Sequence, residues 1–244
     1  MRELIRQLTE TYGPSGVEDK IRAVIRAEVE PLADELRVDP LGSLIARKQG
    51  SDGEGKRIVL SAHMDEIGVM VTYLDEDGFA RFTRVGGVRP LNCVGSRVAF
   101  GDGTVGVIGI ERKGRDASKA PKFEQLYIDA GATSRDDSPV QVGDVGVFVR
   151  PFAVQGRRLI AKAMDDRIGC AVLIEVMRQL DSTPYDLYFM FSTQEEVGLR
   201  GARTSTYGID PDMAIAVDVT GTGDTPESYP MAMKLGEGPA VKVQ

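Results

Sequence analysis

Residues 57–65 read Arg57-Ile58-Val59-Leu60-Ser61-Ala62-His63-Met64-Asp65, an apolar run of strand length that leads straight into a histidine and an aspartate. A short continuous apolar run of this kind is the pattern of a buried strand. Chemistry-bearing side chains at its carboxyl end stand where open α/β sheets form their ligand sites.

Working outward from this strand, the later part of the chain repeats the α/β pattern. Asp166 to Leu180 is predicted as a helix apolar on nearly every face, through Ile168, Ala171, Val172, Leu173, Val176 and Met177, and so buried. Leu187–Phe191 is predicted as a strand, Leu199–Thr204 as a short helix and Met213–Val217 as another strand. Before residue 57, Leu4, Ile5 and Leu8 mark one helix, and Ile21, Val24, Ile25 and Val29 mark a second. The break between them is Gly13-Pro14-Ser15-Gly16. A hairpin is expected from Val38 to Ala46 across Asp39-Pro40-Leu41-Gly42, and Ser51–Gly55 reads as a polar turn.

From about Val69 to Pro151 the character changes to short β-prone segments between Gly and Asp turns, with no stretch of helical length. Gly101-Asp102-Gly103-Thr104-Val105-Gly106 matches a dinucleotide fingerprint, but the strand pattern continues where that fingerprint needs a helix, so a hairpin turn is expected. The fold class is therefore α/β, a mixed sheet flanked by helices with an inserted small all-β, barrel-like domain. Residues 1–68 with 159–244 are expected to form the α/β domain and 69–158 the insertion.

Composition narrows the functional classes. The 244 residues are 42% hydrophobic and 27% charged, with 30 Lys and Arg against 37 Asp and Glu, a formal charge of −7. That balance disfavours nucleic acid as a partner, because phosphate binding needs a basic surface. No apolar run approaches the roughly 20 residues that cross a bilayer, so no membrane partner is expected. Two cysteines, Cys93 and Cys170, make no disulfide framework and suggest a cytoplasmic, reducing location. A single histidine, with no His-Glu-x-x-His, Cys-x-x-Cys or Gly-x-Ser-x-Gly pattern, leaves the chemistry to carboxylates.

Those carboxylates recur at strand ends: His63-Met64-Asp65, Met164-Asp165-Asp166, Gln194-Glu195-Glu196 and Val217-Asp218. Side by side they would converge on one pocket, and hard oxygen donors with one imidazole suit a divalent cation. Crowded carboxylates without a cation should show raised pKa values. Singly, each has a structural explanation. His63 could be a hydrogen-bonded strand end, Asp65 could orient its ring, and Asp165-Asp166 could cap the following helix. Glu195-Glu196 could open the short helix, and Asp218 could be a loop acceptor. Their joint placement favours a metal site.

Four motifs in order, 61–68, 163–170, 193–202 and 218–220, carry a family resemblance. Together they resemble the tetrahedral aminopeptidases, also called family-42 metallopeptidases, which include glutamyl aminopeptidases; some relatives were once labelled endoglucanases. The resemblance covers essentially the whole chain and implies a zinc-peptidase-like α/β domain binding two divalent cations, zinc or cobalt, or manganese. By motif position, His63 and Asp218 would hold one metal, Glu196 the other, and Asp165 would bridge them. Glu195 would be the general base and Asp65 would fix the His63 tautomer. Asp166 would be structural, capping the helix or pairing with Arg167. The resemblance further implies short peptide substrates and an insertion that builds dimers, up to a hollow tetrahedral dodecamer.

Family members continue past the position of Gln244 with a further αβ stretch and a late histidine for the second metal. The chain is therefore expected to lack a C-terminal part, to stop within a strand at 240–244, and to leave a sheet edge and apolar surface uncovered. Two rival readings follow: a two-metal amidase or deacylase, and an inactive assembly subunit. A carbohydrate hydrolase is disfavoured, because two carboxylates would suffice and His63 and Asp165 would have no task. Cys170 is expected in the core, and Cys93 lacks a histidine partner for nucleophilic work.

Overall fold

The computed structural model describes residues 1–52, 55–112, 116 and 118–242. The elements run α1 (Arg2–Glu10), α2 (Asp19–Val29), β1 (Glu35–Val38), β2 (Leu44–Lys48), β3 (Arg57–His63), β4 (Gly68–Leu74), β5 (Ala80–Val85), β6 (Arg97–Phe100) and β7 (Val105–Ile110). They continue as β8 (Leu126–Asp129), β9 (Val145–Phe148), β10 (Ala153–Gln155), β11 (Arg158–Ile160), α3 (Met164–Gln179), β12 (Asp186–Ser192), α4 (Arg200–Ile209) and β13 (Met213–Ala216).

The main sheet has the order β1-β2-β12-β3-β13. The strands β12, β3 and β13 are parallel, while β2 joins β12 antiparallel, so the sheet is mixed as expected. Leu187, Phe189, Met190 and Phe191 of β12 are buried because helices cover the sheet around its central strands. Against one face lie Leu4, Ile5 and Leu8 of α1, Ile21, Ile25 and Val29 of α2, and Cys170, Leu173, Ile174 and Met177 of α3. Contrary to expectation, α3 is not buried all round. Val172 is 40% exposed, so the helix has an outer face despite its apolar sequence. The helix α4 runs to Ile209, beyond the expected Thr204, because Ile209 seals against Ile45, Val59 and Met190.

Strands β4-β5-β8-β7-β6-β9 close into a barrel around Val69, Val71, Phe82, Val98, Phe100, Ile108 and Ile128. The Gly101–Gly106 segment is the β6–β7 hairpin, with Gly103 at φ +96° and the Phe100 N–H on Thr104 O at 2.8 Å. No phosphate-binding helix opens there.

At the outer edge of the main sheet, β13 has its whole length exposed, including Met213 and Ile215. The expected uncovered edge is thus present. The expected strand at 240–244 is not seen: residues 240–242 are exposed without regular structure, and 243–244 lie outside the described residues. The turn at 51–55 likewise falls partly outside them, at 53–54.

The β1–β2 turn is wired by one side chain. Asp39 Oδ1 accepts the N–H groups of Leu41, Gly42 and Ser43, each at 2.9 Å, while Oδ2 accepts the Ser205 hydroxyl of α4. Asp39 is buried, so its loss strands several donors. Asp39→Ala is expected to lower the unfolding free energy by about 2 kcal/mol. Urea denaturation of the two proteins checks this; equal midpoints would show the turn holds without it.

Candidate metal centre

The carboxyl ends of three adjacent parallel strands meet at one place. Ser192 of β12 pairs with His63 of β3, and Ala216 of β13 pairs with Ser61. The chain leaves β12 into Gln194-Glu195-Glu196 and leaves β13 toward Asp218, while α3 packs on β3 and presents Asp165 and Asp166 at its first turn. This alignment is what lets residues so far apart in sequence converge.

His63, 4% exposed, is the hub. Its Nε2 lies 2.9 Å from Asp165 Oδ1 and 3.8 Å from Glu195 Oε2. Its Nδ1 lies 3.1 Å from the Asp65 carbonyl oxygen and 3.4 Å from Asp65 Oδ1. A proton on Nδ1 facing Asp65 leaves Nε2 directed at the carboxylates, the arrangement that readies an imidazole as a ligand.

Donor atoms of His63, Asp165 and Glu196 lie within 4.8 Å of one another, as do those of His63, Asp166 and Asp218. The structure thus brings every sequence-predicted residue to the cluster, and places Asp166, expected there only in a structural role, among the donors. Both Asp166 oxygens already serve backbone donors: Oδ1 accepts the Gly169 N–H at 3.1 Å and Oδ2 the His63 N–H at 3.2 Å. The expected capping role is present, since α3 is regular only after non-helical Asp165 and Asp166, whose shared peptide bond is cis. The expected pairing of Asp166 with Arg167 is not. The Arg167 guanidinium instead turns away to Glu66 and to the carbonyls of Leu8, Thr11 and Gly13.

The electrostatics match a cluster short of positive charge. Burial pushes Glu196 up to about 7, helped by Asp165. Burial pushes Asp166 up to about 8, with His63 opposing and Asp218 adding to the rise. Glu195 is raised by burial and then by Asp65, Asp218 and Asp165, against His63. Burial works against a charged His63, yet hydrogen bonds to Asp165 and Asp65 and the nearby carboxylate charges hold its proton up to about 11. Oxygen donors that resist sharing one space, gathered on one imidazole, form a set that a divalent cation fits.

Several contacts were not anticipated from sequence. The Gly86-Gly87 turn of the barrel reaches Glu196, and the Gly87 N–H lies 3.4 Å from Glu196 Oε2. A Cβ on Gly86, at φ +76°, would stand 2.9 Å from Glu196 Cβ, so this approach requires glycine. Ser15, read only as part of the Gly13–Gly16 break, and Glu18, which the sequence did not single out, also reach the site through Asp65 and Gln194. Cys170 packs in the core as expected, and Cys93 is buried inside the barrel. A groove of about 1030 Å³ between α4 and β13, lined by Ala202, Tyr207 and Met213, contains none of the cluster residues.

An α/β sheet gathering one imidazole and several carboxylates at its carboxyl edge, beside a closed barrel, is an arrangement that a divalent cation fits. Residues 42–244 match the family model described as M42 glutamyl aminopeptidase, and the chain belongs to that family. A relative from Acetivibrio thermocellus is 50% identical over 246 residues, covering 100% of this chain and 73% of its own. The solved structure of an aminopeptidase from the archaeon Desulfurococcus kamchatkensis superposes with a TM-score of 0.92 at 38% identity, over 98% of this chain and 69% of that one. A Pyrococcus horikoshii TET1 peptidase that can assemble into a tetrahedron or a large octahedral shell gives 0.81 at 32% identity, over 92% and 72%. The protein is a peptidase, and the family implies divalent metal. No helix among the described residues is long and apolar enough to cross a membrane.

Proposed function

We propose that this protein removes N-terminal residues from short peptides, using two divalent cations, zinc or cobalt or else manganese, held at the cluster. The observation that carries this reading is the pair of overlapping donor groups that share His63, with Glu195 at their margin. His63 and Asp218 would hold one cation, Glu196 the other, and Asp165 would serve both. Asp166, grouped geometrically with His63 and Asp218, is assigned as an anchor because backbone N–H groups already occupy both its oxygens. When bound, the cations supply Lewis-acid activation of water and of the scissile carbonyl.

Glu195 accepts the proton of the attacking water and returns it to the leaving amine as the C–N bond breaks. Its side chain is 27% exposed, open enough to meet solvent and buried enough for a raised proton affinity. Asp65, fully buried, keeps the His63 ring oriented. We assign residues 69–158 to self-association, supported by the assembling Pyrococcus horikoshii relative and by the exposed Leu91, Val105 and Val107. Unpaired Cys93 and Cys170 support a cytoplasmic setting.

The test is hydrolysis of a panel of short peptides with free or acetylated amino termini, with zinc or cobalt and with chelator. Release confined to free amino termini and abolished by chelator is expected. Cleavage of acetylated substrates would support the amidase or deacylase reading. No turnover with any metal would support the assembly-subunit reading.

A further inference from the structure

Glu195 and Glu196 are adjacent, so their distinct roles in the proposed function depend on how the backbone between β12 and α4 aims them. Three successive N–H groups there are grasped by two buried carboxylates. The Gln194 N–H lies 3.2 Å from Glu18 Oε1, the Glu195 N–H 3.0 Å from Asp65 Oδ1, and the Glu196 N–H 3.2 Å from Asp65 Oδ2. Gln194 sits at φ +54°, a left-handed conformation that a non-glycine residue adopts only when its surroundings impose it.

Both carboxylates are themselves set by the turn after Pro14. Ser15 Oγ donates to Asp65 Oδ2 at 2.5 Å, and the Gly16 N–H donates to Glu18 Oε1 at 2.7 Å. The turn is tied to the strand end beneath it: the Ser15 N–H lies 3.3 Å from Glu66 O, and the Glu66 N–H 3.1 Å from Gly13 O. Asp65 is 0% and Glu18 4% exposed, so these two acceptors are shut off from water and depend on protein donors.

We infer that the Pro14–Glu18 turn sets the aim of Glu195 and Glu196, with Ser15 and Glu18 as positioning residues that act through Asp65 and Gln194. The inference rests on the metal-site reading above. Outer groups that orient ligands in this way typically govern 10- to 100-fold in metal affinity or activity.

The experiment uses the full chain as wild type, Ser15→Ala, Glu18→Ala and Glu18→Gln. Its readouts are cobalt affinity, the visible absorption of the cobalt-loaded protein and hydrogen exchange of segment 193–198 without metal. Both alanine variants are expected to lose roughly 10- to 100-fold in cobalt affinity and to shift the cobalt bands. Exchange at Gln194, Glu195 and Glu196 should speed up in both. Glu18→Gln keeps an acceptor oxygen for both N–H groups and should restore most of the affinity. Alanine variants with wild-type affinity and spectrum would overturn the inference alone. Rapid exchange of 194–196 in the wild type would do so even if an alanine variant failed to fold. A wild type that binds no cobalt would overturn the metal reading and this inference with it.

Discussion

Glu195→Gln is expected to lower kcat by about 10²- to 10⁴-fold, the range contributed by a positioned proton-transfer group. The replacement is nearly isosteric and keeps an oxygen near His63 Nε2, from which Glu195 Oε2 lies 3.8 Å. It removes only the capacity to take a proton. The backbone N–H of residue 195 still reaches Asp65 Oδ1, so the turn should persist. Cobalt affinity and the unfolding midpoint are therefore expected to stay near wild type, while kcat falls far more than KM changes. Steady-state kinetics beside a metal titration separates the outcomes. Full activity in the variant would remove Glu195 from the proton-transfer role. Loss of metal together with activity would instead make it a ligand.

The second large effect is on stability. Glu66 and Arg167 form a buried pair, with the Glu66 side chain 3% and the Arg167 side chain 0% exposed. Lys162 Nζ lies 2.7 Å from each Glu66 oxygen, and the Gly13 N–H adds a further donor at 3.2 Å. Arg167 also donates to the carbonyls of Leu8, Thr11 and Gly13, tying the end of α1 and its following turn to α3. Among the described residues Glu66 is the one carboxylate that forms ion pairs with both cations, so Glu66→Leu leaves a guanidinium in the core without an ion-pair partner. Breaking such a pair typically costs about 3–5 kcal/mol. Denaturant unfolding of the metal-free protein should show a loss of that size. The double replacement Glu66→Leu with Arg167→Met should recover part of it, because the fully buried guanidinium is then gone and only Lys162 Nζ is left without its partner. A single variant within about 1 kcal/mol of wild type would mean that the carbonyls alone satisfy Arg167.

Much of the fold and of the candidate site was legible because it is written in local patterns. The apolar runs at 57–62 and 187–191 and the helical spacing of Leu4, Ile5 and Leu8 report burial directly, since periodicity mirrors which faces meet the core. His63, Asp165, Glu195, Glu196 and Asp218 stood out because each follows a strand or opens a helix, and the structure brings Asp165, Glu196 and Asp218 within reach of His63 in two overlapping groups, with Glu195 3.8 Å from its Nε2. The metal roles themselves came from motif order rather than from spacing. Val172 misled because an apolar residue does not reveal whether anything packs against it.

What the sequence by itself determined was therefore most of the buried faces, which segments form strands or helices, and which carboxylates and imidazole stand at strand ends as candidates for the site. Only the tertiary structure decided who faces whom: the β4-β5-β8-β7-β6-β9 closure, the placing of β12 between β2 and β3, and the approach of Gly87 to Glu196. It also decided that Glu18 would hold the N–H of Gln194, 176 residues further along the chain. The physical reason is that hydrophobic periodicity specifies a face but not its partner. A buried N–H needs an acceptor, yet nothing local says from which distant loop that acceptor comes.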